Sequence, residues 1–161
     1  MHEAVSLEIE YQLPAGAEQP QQDEERFRQA AEWVLLKFGL QSIVASISIV
    51  NDPTIHRVNR EHLEHDWPTD VISFVFEPAP QVQGEIIASS DTASRLCGDA
   101  GWRHEDELLL YIVHGLLHLA GLDDQEESQQ LEMRRAEQEC LLALGVSGAA
   151  EHLSRWNDIS Y

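Results

Sequence analysis

Val5, Leu7 and Ile9 alternate with Ser6, Glu8 and Glu10, and a period of two predicts a half-buried strand. Pro14, Gly16 and Pro20 interrupt the pattern as a loop. Asp23-Glu24-Glu25 then opens a helix whose apolar positions are Phe27, Ala30, Ala31, Val34, Leu35 and Phe38. Acids in the first turn suit the positive end of its dipole, and Gly39 suits its stop. Ile43 to Val50 is rich in β-branched residues and reads as a second strand. Asn51-Asp52-Pro53 caps a short helix running to about His62. The turn Pro68-Thr69-Asp70 leads into a strand from Val71 to Phe76. Pro78 and Pro80 separate that strand from another, Gln83 to Ser89, and a short helix is expected over Asp91 to Cys97.

From Glu105 to Ala120 the pattern is apolar nearly all round, with Leu108, Leu109, Leu110, Tyr111, Ile112 and Val113 in succession. A helix of that kind lies at the centre of a fold. Glu126 to Leu144 is a last amphipathic helix, stopped by Gly145, and the polar tail 148–161 is expected to be loosely held. Strands followed by a helix-rich half give an α+β expectation. It is one domain over residues 1–147, with a small mixed sheet of about four strands and about five helices around a central helix.

Composition narrows the function classes. A chain of 161 residues, 43% hydrophobic, builds one sizeable core. No apolar run suffices to cross a bilayer, and the start Met1-His2-Glu3-Ala4-Val5 does not read as a secretory signal. Cys97 and Cys140 read as thiols of a reducing compartment. The expectation is a cytoplasmic protein without a membrane partner. Ten basic residues face 29 acidic ones, for a formal charge of -19, and Lys37 is the sole lysine. Such acidity weakens non-specific attraction to phosphate backbones, so a nucleic-acid substrate needs a local basic patch or a partner that presents it.

The central helix carries the chemistry. His114 and His118 lie four residues apart, so their rings share one helix face. Gly121 follows three residues later, where a left-handed residue can end the helix and turn the chain back. Asp124 then comes within reach of the same point. The spacing suits one zinc ion on a His-His-Asp set with positions left open for water and substrate. Two core histidines bonded to backbone carbonyls are the alternative. Gly115 costs on the order of 1 kcal/mol relative to alanine in mid-helix, and space beside the ion is the expected reason. The helix–Gly–ligand spacing resembles that of metzincin proteases, but their glutamate base is replaced by Gly115.

Taken together, these motifs resemble those of the YbeY endoribonucleases. Their signature His-Gly-x-Leu-His-Leu-x-Gly-(Tyr)-Asp-His is matched from His114 through Asp123. Further blocks are Pro68 to Phe74, Gly84-Glu85-Ile86, and a C-terminal helix containing Glu132-Met133 and Glu137. The resemblance runs from about Ser42 to Leu144. It implies a metal-dependent, single-strand-specific endoribonuclease acting in 3′-end maturation of small-subunit ribosomal RNA and in ribosome quality control. Its partner would be ribosomal RNA, not DNA, presented by the ribosome or ribosomal proteins. It also implies zinc on three histidines. His114 and His118 carry over, and the third position falls on Asp124.

Two departures follow from that pattern. Aspartate in place of the third histidine lowers the charge of the site. The family's phosphate-contacting arginine, five residues before the Pro-Thr-Asp block, falls on Leu63. Arg60 or Arg57 is the candidate substitute, Arg60 lying on nearly the same helix face. Asp70 either hydrogen-bonds near the cleft or caps its turn. Glu85 is a candidate general base or ligand-orienting residue, or else an exposed strand glutamate. His62 and His65 read as surface residues, and Tyr111 and Trp102 as core rather than base-stacking groups. Competing functions are a metallohydrolase of another substrate, such as a peptide, and a non-catalytic ribosome-associated module with a structural metal.

Overall fold

The computed structural model describes residues 4–12, 22–63, 70–100, 102–146 and 148–149. The loop at Pro14 to Pro20, the turn at Pro68-Thr69, the side chains of His62, Leu63 and His65, and the tail from 150 onward lie outside the described residues. The elements are β1 (Val5–Gln12), α1 (Gln22–Lys37), β2 (Ser42–Val50), α2 (Asp52–Leu63), β3 (Val71–Glu77), β4 (Gln81–Ser89), α3 (Ser90–Ala100), α4 (His104–Leu119) and α5 (Glu127–Ala143). Asn51 caps α2, its Oδ1 accepting from the Thr54 amide at 3.0 Å.

One mixed sheet runs in the order β1-β2-β4-β3. The first three strands are parallel, and β3 pairs antiparallel with β4. Among the described residues this is the expected α+β architecture of four strands and five helices. The main core lies between one sheet face and α1, α4 and α5, with Phe27, Ile47, Ile86, Leu109, Ile112 and Cys140 fully buried. A smaller cluster, Val50, Ile55, Ile72 and Ile87, lies under α2 on the other face. Alternation along β4 follows from this division. Val82, Gly84, Ile86 and Ala88 belong to the α4 side. Glu85 pairs with Ser46 and Phe74, on the α2 side.

Helix α4 approaches β4 closely because two glycines meet there. A Cβ on Gly115 would stand 2.7 Å from Ile86 Cγ2. One on Gly84 would overlap the Leu119 side chain and stand 2.6 Å from the Phe74 carbonyl oxygen. The space that Gly115 leaves is therefore filled by Ile86 of the sheet, not kept open beside an ion as the sequence reading expected. Its cost in helix propensity is offset by tight helix–sheet packing. The start of α4 is fixed by Asp106, which accepts from Arg26 of α1 at 2.7 Å and from Arg103 at 3.3 Å. Beyond α5, Val146 and Ala149 join the main core, and Gln138 donates to the Ala149 carbonyl at 3.2 Å.

Gly84→Ala is expected to cost about 1–3 kcal/mol in urea unfolding, because the new methyl meets backbone that cannot rotate away. An unchanged midpoint would show that α4 can lift off β4 freely.

Candidate metal centre

Helix α4 sets the His114 and His118 rings one turn apart, with centroids 4.6 Å apart and planes at 78°. The helix then ends at Gly121, whose φ is +112°. The Gly121 amide donates to His118 O and the Leu122 amide to Leu117 O, both at 3.0 Å, closing a Schellman turn. That turn brings Asp124 back over the histidines. The two Nε2 atoms are 3.0 Å apart, and Asp124 Oδ2 lies 3.4 and 3.5 Å from them.

These distances can be tested against an ion. Bonds of about 2.0–2.1 Å at tetrahedral angles separate donor atoms by about 3.3 Å. The three contacts bracket that value. Two imidazole lone pairs and a carboxylate facing one point repel one another unless a positive species sits between them. The donors fit a metal, and among the described residues three of them converge, a number that leaves a position open. His114 is 5% exposed in its side chain, whereas His118 and Asp124 are 25% and 27% exposed. The site is thus anchored in the core on one side and reachable from solvent on the other.

Electrostatics point the same way. His114 Nδ1 lies 3.1 Å from Glu137 Oε1, a contact between α4 and α5. Burial alone would depress the His114 imidazolium. The hydrogen bonds to Asp124 and Glu137, with the charges of Glu137 and Asp70, outweigh it and raise the group to about 10. The Asp124 carboxyl is held well below the usual range by its bonds to His114 and His118. Carboxylates thus surround the imidazoles with a field that favours a cation.

The sequence candidates separate by position. His114, His118 and Asp124 come together. Asp70 is buried near enough to act on the charge of His114; its Oδ1 accepts from the Val71 amide at 2.8 Å and its carbonyl from Ser89 at 2.9 Å. Glu85 lies on the opposite sheet face and is not brought to this cluster. Arg57 and Arg60 are exposed on α2. Arg95 and Arg103 are bound to the carboxylates of Asp52 and Asp106. Tyr111 is buried in the core and Trp102 packs against it. Glu137 is a residue whose contact with His114 spans 23 positions, so no local pattern announced it.

In the metal-free protein His114 keeps its proton below about pH 10. That proton stabilises the fold fully below the ordinary imidazole range, and the gain is lost as pH rises through about 10. A metal ion has to displace it. Uptake at neutral to mildly alkaline pH is expected to release about one proton per ion, with apparent affinity climbing about tenfold per pH unit. Calorimetry in buffers of different ionisation heat checks this; no proton release would contradict it.

The sequence profile of the family Endoribonuclease YbeY matches residues 13–145. The chain is 46% identical over 103 residues to the Endoribonuclease YbeY of Rhodopirellula baltica, covering 62% of this chain and 53% of that protein. The chain thus spans about half the length of that relative. It is 38% identical over 121 residues to the Endoribonuclease YbeY of Chloroherpeton thalassium, covering 75% and 86%. The solution structure of TM1509 from Thermotoga maritima shares the fold, with a TM-score of 0.58 at 21% identity over 86% of this chain and 91% of that one. With the profile spanning the chain from α1 through α5, including three of the four strands, the central helix and all three convergent donors, this chain belongs to the Endoribonuclease YbeY family.

Proposed function

We propose that this chain is a zinc-dependent endoribonuclease that cuts single-stranded RNA, acting on ribosomal RNA in 3′-end maturation of the small subunit and in ribosome quality control. The observation that carries the reading is the convergence of His114, His118 and Asp124 at 3.0–3.5 Å, in a chain whose relatives are named endoribonucleases. Three convergent donors and a solvent-facing side favour a catalytic over a closed structural ion. Gly115, packed on Ile86, stands where a protease of similar spacing would carry its glutamate base.

His114, His118 and Asp124 would hold the single zinc ion. When bound, it would supply Lewis-acid polarisation of a phosphoryl oxygen and an oxygen nucleophile at neutral pH. The chain's own groups do the rest. Asp70, whose Oδ1 accepts from the Val71 amide and whose charge acts on His114, would be the carboxylate that holds or accepts a proton. Arg60 on α2, with Arg57 one turn away, offers positive charge to the phosphate in place of the arginine that Leu63 displaces. Glu85 keeps a candidate role toward substrate on the α2 face of the sheet.

The charge of -19 favours delivery of the RNA by a ribosomal partner over capture from bulk solution. We place the protein in the cytoplasm; no helix of the described residues is long and apolar enough to cross a membrane.

Single-stranded RNA is expected to be cut by the native chain, with chelator or His114→Ala abolishing cleavage and added zinc restoring only the chelated sample. Arg60→Ala should lower kcat/KM by about a hundredfold. Gel analysis of labelled RNA decides both, and cleavage that survives both chelator and His114→Ala would sink the proposal.

A further inference from the structure

We propose that Glu137 is a positioning residue for the metal centre: its buried carboxylate holds His114 in the ligating tautomer and sets how tightly the site binds its ion. The inference rests on the metal-binding reading of His114, His118 and Asp124.

Glu137 has no solvent exposure and lies on the face of α5 that carries Met133, Ala136, Cys140 and Leu141 into the main core. A carboxylate in apolar surroundings is strongly disfavoured unless strong partners compensate. A partner of that kind is His114 Nδ1, at 3.1 Å. The field of Glu137 reaches along the same face. Burial, with the Glu137 charge adding to it, pushes the Cys140 thiol up to about 12.

The geometry gives this contact a consequence at the other end of the ring. A neutral imidazole carries its proton on one nitrogen only. A carboxylate can only accept, so the proton sits on Nδ1 and the lone pair on Nε2. That Nε2 is the atom 3.0 Å from His118 Nε2 and 3.4 Å from Asp124 Oδ2. The same bond fixes the ring plane and raises the basicity of Nε2, as carboxylate partners of histidine ligands do. Because Glu137 sits on α5 and His114 on α4, the bond also links docking of the last helix to occupancy of the site.

A purely structural role, docking α5 to α4, makes a different forecast. The test measures zinc affinity by competition with a chromophoric chelator, and thermal unfolding with and without zinc. It compares the native chain with Glu137→Gln, Glu137→Ala and His114→Ala. Glu137→Gln keeps size and an acceptor oxygen but not the charge, so it folds even if Glu137→Ala does not. We expect zinc to bind Glu137→Ala 10–100-fold more weakly, and Glu137→Gln by an intermediate factor. The rise in Tm on adding zinc should shrink in the same order, and the visible spectrum of the cobalt-substituted Glu137→Gln protein should change.

If both Glu137 variants bind zinc as tightly as the native chain while His114→Ala does not, the positioning role is refuted and a docking role alone remains. If His114→Ala also binds normally, the metal-centre reading itself fails, and the inference falls with it.

Discussion

The fold depends on how closely α4 lies against β4. Gly84 and Gly115 remove the side chains that would hold the two elements apart, and Ile86 and Leu119 fill the space. A helix seated this deep is buried on almost every side, from Asp106 to Leu117. Such burial is what gives its histidines a fixed place. Packing locks their rotamers, and the first of them is cut off from water while the second reaches the surface. A helix riding higher on the sheet would leave both imidazoles mobile and separate Asp124 from them.

Charge is the second constraint. Asp124, Glu137 and Asp70 all act on His114. In water such a cluster would be unremarkable. In the core it is unfavourable unless a proton or a metal ion supplies positive charge. The site thus has a built-in demand for a cation. On the proposed function, an aspartate as third donor would increase that demand and leave less net positive charge to offer a phosphate, and arginines outside the cluster would carry more of the burden. The acidity of the whole chain has the same effect at longer range.

Much of the fold was legible because its signals are local. The alternation of Val5, Leu7 and Ile9, the all-round apolar α4 and the Gly121 stop each show within one element, and the structure reproduces them. The convergent donors were legible for the same reason: i, i+4 spacing and one turn bring them together. What failed to show was set across the sheet or between helices. Gly115 carried a correct signal of cost, but its cause, Ile86, lies on another element. The Glu137 contact joins positions 23 residues apart and depends on how α5 docks. Glu85 is an intermediate case. Its parity with Gly84 and Ile86 could have placed it opposite the core face, had α4 been assigned to that face from the start.

The central claim is that two imidazoles and one carboxylate hold the ion. X-ray absorption at the zinc edge of the loaded protein tests it most directly. The account predicts nitrogen and oxygen scatterers at about 2.0–2.1 Å, with the multiple scattering of two imidazole rings. A sulfur scatterer near about 2.3 Å, or scattering from fewer than two imidazoles, would contradict it.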